Sequence, residues 1–100
     1  FQDMAATVHV VERFVAKTGD ETALKAILTA LIAPTRRELG CIQFDLLENP
    51  LDAKDLCFVE RWAHDKSLDQ HCEASYVKDT LSKVDGLLDT PADIRRYQQA

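Results

Sequence analysis

The residues with the most chemical potential in this chain are a few acids, one indole and one imidazole. Glu60 and Trp62 are two apart near the end of an apolar, β-rich run, so they share one face of a strand. A carboxylate in a central strand is costly to bury unless it has a partner or faces a polar cavity. An indole beside it can wall a pocket for a flat aromatic ligand, or simply anchor a core. Glu12 and Arg13 pose the same question on an earlier strand, where an ordinary ion pair across the sheet is the plainer reading. His71 follows Trp62 on a short helical stretch. An imidazole beside a pocket can take or give a proton near neutral pH, although a lone His is more often a surface or capping residue. Tyr76 and Tyr97 could lend hydroxyls or only pack.

Other chemistries lack their residues. With three glycines there is no dinucleotide or phosphate-loop fingerprint. The three His and three Cys form no metal-ligand spacing, and the adjacent His71 and Cys72 point in different directions on a helix, so no metal or other cofactor is expected. Ser67, Ser75 and Ser82 lack the flanking motif of an acyl-transfer nucleophile. Cys41, Cys57 and Cys72 are odd in number and widely spaced, which points to free thiols and a cytoplasmic location rather than a secreted disulfide framework. A net charge of -5 argues against a phosphate-backbone binder, so no nucleic-acid partner is expected. No apolar run approaches the ~20 residues of a membrane span.

These side chains need a scaffold. The 100 residues suit one domain, taken as 4–100. Phe1-Gln2 is what a common protease leaves from a purification tag, so residues 1–3 are set aside. Residues 7–15 read as a strand, with Val8, Val10, Glu12 and Phe14 on one face and His9, Val11, Arg13 and Val15 on the other. Residues 21–39 carry helical spacing in Leu24, Ile27, Leu28, Leu31 and Thr35, with Asp20 or Thr18 as cap, a kink or a restart of the helix at Pro34, and Gly40 as the left-handed stop. Residues 41–48 and 55–62 read as a hairpin around the loop 49–54. Pairing Glu48 near Asp55 predicts one apolar face of Ile42, Phe44, Leu46, Cys57 and Val59. The other face then holds Cys41, Gln43, Asp45, Leu47, Leu56, Phe58, Glu60 and Trp62, and a slip of one residue would reverse the assignment. Helices follow at about 66–73 and 75–84, then a last strand with Ile94 and Tyr97. The order strand, helix, strand, strand, helix, strand is the split βαβ pattern of a ferredoxin-like α+β fold.

The run Ala33-Pro34-Thr35-Arg36-Arg37-Glu38-Leu39-Gly40-Cys41-Ile42-Gln43-Phe44 resembles the helix-to-strand junction of the antibiotic biosynthesis monooxygenase family. Phe58-Val59-Glu60-Arg61-Trp62, followed by His71 and the aromatic Tyr76, resembles it too, and the likeness extends from about Thr7 to Tyr97. The chain departs from many relatives at Ala74, where they carry Ser or Thr, and at Tyr76, where they carry a second His. Glu12 stands near the position of an Asn in haem-degrading members.

The resemblance implies a dimeric α+β barrel, a homodimer in which two ferredoxin-like sheets pack face to face. It also implies a small aromatic, quinol-like substrate oxidised by molecular oxygen with no metal or flavin. Deprotonating a phenol gives an electron-rich anion that can pass an electron to O₂, so the protein need supply only a base, a dry aromatic pocket and groups that hold the anion. In that scheme His71 is the base, Trp62 and Phe58 clamp the ring, and Glu60 or Glu12 orients a hydroxyl or the imidazole. Tyr76 and Arg13 complete the expected binding residues. Two other readings stand beside it. One is an isomerase-type enzyme on a small phosphorylated metabolite, seated by Arg13, Arg61 or Arg36. The other is a non-catalytic ligand-binding or dimerisation module.

Overall fold

A computed structural model describes residues 7–100, so the tag remnant expected at 1–3 lies outside the described residues. The elements run β1 (Val8–Val15), α1 (Glu21–Thr29), α2 (Ile32–Arg36), β2 (Cys41–Asn49), β3 (Asp52–Trp62), α3 (Asp65–Glu73), α4 (Ser75–Asp85) and β4 (Asp93–Tyr97). The strands form one antiparallel sheet in the order β2-β3-β1-β4. This is the ferredoxin-like split βαβ arrangement that the element order predicts.

Alternation decides the faces of the two central strands. Val8, Val10 and Phe14 of β1 and Leu56, Phe58, Glu60 and Trp62 of β3 are buried under the helices. Helix α1 docks there through Leu24 and Leu28, both fully buried. Its Asp20 cap makes no side-chain hydrogen bond. Burying the two leucines contributes about 1.5–3 kcal/mol each, which outweighs the ~1 kcal/mol a capping bond would add.

Three local expectations are corrected. Glu48 pairs with Leu56, not Asp55, because the turn tightens onto Pro50 and Leu51 and β3 starts at Asp52. Phe44 and Leu46 therefore lie opposite Glu60 and Phe58 on the helix-covered face, while Cys57 and Val59 pair with Leu47 and Asp45 on the open one. Ile42 is the extra residue of a bulge between Cys41 and Gln43 and is 48% exposed. Next, the helix does restart, as α2, but the break falls at Ala30-Leu31, ahead of Pro34, which lies inside α2. Finally, Gly40 is not a helix stop. It lies four residues beyond Arg36 with φ +86°, in the turn that feeds β2, and a Cβ there would fall 2.2 Å from Ser67 Oγ.

The open face of the sheet carries Val11, Leu47, Val59 and Tyr97 among the pairs Arg13–Asp55 and Arg95–Asp93. Among the described residues no helix is long and apolar enough to cross a membrane.

Candidate functional site

Pairing β1 and β3 antiparallel sets Val10 opposite Glu60 and Glu12 opposite Phe58, so the two acids sit diagonally on one face. Helices α3 and α4 roof that face. Between roof and sheet lies a cavity of about 110 Å³. Its polar lining includes Glu12, Glu60 and His71, and Val10, Leu68, Val77, Leu81 and Ile94 give it an apolar body. Cys72 and Arg96 also line it, and Arg96 is drawn away to Asp65 and Asp69.

Glu60 is 2% exposed. One oxygen accepts a 2.9 Å hydrogen bond from Trp62 Nε1, and the other is buried with no hydrogen-bond partner among the described residues. Glu12 is the neighbouring acid on the same face. Burial pushes the Glu12 carboxyl well above the usual carboxylate range, and the neighbouring Glu60 pushes the same way. Burial beside a second acid thus favours the protonated form of Glu12.

His71 is 5% exposed and stands at the other side of the polar corner. Its ring is tilted over the Trp62 indole at 4.8 Å between centroids and meets Phe44 edge-on at 5.8 Å. Nδ1 lies 2.9 Å from Glu38 Oε2, and the Tyr76 hydroxyl donates to that same oxygen. Thr35, fully buried, lies 3.3 Å from the Tyr76 hydroxyl. Burial and the bond to Glu38 raise the Tyr76 phenol to about 12, which keeps it a donor. Burial and the neighbouring carboxylates of Glu60 and Glu38 raise the Cys41 thiol to about 11.

The geometry gathers His71, Glu60 and Glu12 around one space. Trp62 is fully buried behind His71 and is not on the cavity wall. Phe58 packs in the core against Phe44 at 4.5 Å and Phe14 at 6.1 Å, and it also stays off the wall. Tyr76 reaches His71 through Glu38. Arg13 does not reach the site: the alternation of β1 turns it to the open face, where it pairs with Asp55 at 2.9 Å. Sequence reasoning passed over Glu38 as a site residue. It sits in a turn with no periodicity to assign it a face, and its only signal was its place in the junction run between Arg37 and Gly40. Among the described residues, no three His, Cys, Asp or Glu side chains gather as a metal site.

The family model for antibiotic biosynthesis monooxygenases matches residues 7–83. A Mycobacterium tuberculosis protein named "Putative monooxygenase Rv0793" is 34% identical over 91 residues, covering 91% of this chain and 89% of that protein. Its solved structure has a TM-score of 0.89 over 95% of this chain and 96% of that one. PA3566 from Pseudomonas aeruginosa is 27% identical with a TM-score of 0.89, covering 97% of each chain. A conserved protein from Methanosarcina mazei Go1 is 23% identical with a TM-score of 0.91, over 99% of this chain and 98% of that one, a likeness of fold alone. The model match spans most of the chain and the mycobacterial relative nearly all of it, so this protein belongs to the antibiotic biosynthesis monooxygenase family.

Proposed function

We propose that the cavity between sheet and helices oxidises a small, neutral, quinol-like aromatic with O₂, with His71 as base. The observation that carries this reading is one largely apolar cavity lined by an imidazole and two carboxyl groups, Glu12 and Glu60. His71 takes the hydroxyl proton of the quinol. The resulting anion reduces O₂, one oxygen atom ends on the ring, and the other leaves as water, with the substrate supplying the electrons. Glu60 and Glu12 together present an acceptor and a donor, which suits a hydroxyl group. Trp62 and Tyr76 act from behind the imidazole, and neither Trp62 nor Phe58 serves as a ring clamp.

Size and charge narrow the substrate. A cavity of about 110 Å³ is below the usual ~300–1,000 Å³ of ligand sites and somewhat below the ~150 Å³ that holds a benzene. With adjustment of the half-exposed Ile94, this size favours a single ring over a polycycle. A phosphorylated metabolite is not favoured: Arg13 and Arg61 lie on the other face, and Arg36 is bound to Asp45.

We also propose that the working unit is a homodimer. The support is the uncovered sheet face, where Val11 is 37% and Leu47 52% exposed.

The test is oxygen uptake by the purified protein across one-ring quinols and catechols. An active substrate should lose about 10²-fold or more in turnover in His71→Ala, with folding intact. Full activity in that variant would transfer the base role to Glu60 or Glu12. No uptake on any member would leave a binding module.

A further inference from the structure

Every ring nitrogen of a neutral histidine has one of two roles, donor or acceptor, and only the acceptor can serve as a base. His71 offers its two nitrogens to different places. Nδ1 faces Glu38 Oε2 at 2.9 Å, in a contact that lies off the cavity. His71 itself lines the cavity, so Nε2 is the nitrogen left to meet a ligand.

The donors around Glu38 settle which nitrogen holds the proton. Tyr76 O–H donates to Glu38 Oε2, the oxygen that Nδ1 also meets. Thr35 can donate in turn to the Tyr76 oxygen. An oxygen that already receives the Tyr76 O–H meets the imidazole as an acceptor too. Nδ1 must then be the donor.

We infer that Glu38 is the positioning residue of this site: it holds the proton of neutral His71 on Nδ1 and so presents the Nε2 lone pair to the cavity. In free histidine the proton prefers Nε2, the arrangement that would point an N–H at the substrate and disable the ring as a base. Trp62 and Phe44 hold the plane of the ring, and Glu38 selects its tautomer. Tyr76 and Thr35 in turn aim the Glu38 carboxylate. The other ionisable groups at the cavity, Glu12, Glu60, Cys72 and Arg96, make no hydrogen bond to either imidazole nitrogen.

The ligand-free protein tests this, so the result does not depend on the proposed oxidation, although its catalytic meaning rests on that reading. Long-range ¹H–¹⁵N correlation spectra, recorded at a pH where imidazole is neutral, with His71 identified by its loss in His71→Ala, read the tautomer directly. The expected pattern is a pyrrole-type Nδ1 and a pyridine-type Nε2. In Glu38→Ala the two assignments should exchange. Glu38→Leu fills the vacated space and serves if the alanine variant does not fold. On any substrate that passes the oxygen-uptake test, the same variants should lose about 10²-fold in turnover. A native His71 protonated on Nε2 overturns the inference, as does a folded Glu38 variant that keeps the proton on Nδ1.

Discussion

Trp62 Nε1 donates a 2.9 Å hydrogen bond to Glu60 Oε1, two residues back on the same strand, and both side chains are almost wholly buried. The indole N–H is thus the donor that satisfies this Glu60 oxygen. Trp62→Phe retains most of the aromatic contact with His71 but strips that oxygen of its donor. An unpaired buried acceptor costs about 1–3 kcal/mol. Urea unfolding followed by circular dichroism should show a loss of that size. Unchanged stability would mean that another donor reaches Oε1.

The Glu12–Glu60 pair predicts an unusual pH trend. The folded-state pKa of Glu12 is raised, chiefly by burial, so the folded chain holds a proton that the unfolded chain releases at about 4.3. The stability tied to that proton is fully present below the unfolded value and is lost as pH rises through the folded one. Glu12→Gln stays uncharged at every pH. Its melting temperature relative to the parent should therefore rise with pH from about 4 upward. A difference that stays flat from acid to alkaline pH would show that folding does not raise the pKa of Glu12.

The turn that carries Glu38 is held by Gly40. Its φ of +86° disfavours any side chain, and an added Cβ would sit 2.2 Å from Ser67 Oγ and 2.6 Å from Ser67 Cβ. Gly40→Ala should destabilise the fold by about 2 kcal/mol or more, from the backbone and the overlap together. In a double-mutant cycle, Ser67→Gly should restore the overlap part and not the backbone part. Additive losses would mean that Ser67 simply moves aside.

Much of this architecture was legible because period-two burial is written into β1 and β3. Val8-x-Val10-x-Glu12-x-Phe14 and Leu56-x-Phe58-x-Glu60-x-Trp62 place two acids among inward residues, and that alone marks a site. The hairpin register was not legible. It depends on a two-residue turn inside a stretch that reads as a six-residue loop, and on a bulge at Ile42 whose apolar side chain looks like a core residue. The partner of His71 was hidden for another reason. Glu38 precedes His71 by 33 positions in a turn, and only the approach of α3 and α4 to the α2–β2 junction brings the three polar groups together.

The corrected register also separates two substitutions that the sequence treats alike. Phe44 is 1% exposed and packs against Phe58 and His71, so Phe44→Asp puts a carboxylate in the core and should abolish folding. Val59 lies on the open face between Val11 and Asp45, away from the core. Val59→Asp should leave the monomer folded and break the proposed association of two sheets, since an unpaired charge would be buried at their centre. Sedimentation at micromolar concentration should give a dimer for the parent chain and a folded monomer for Val59→Asp. A monomeric parent chain would sink the dimer. A Val59→Asp protein that still sediments as a dimer would show that any dimer forms through some other surface.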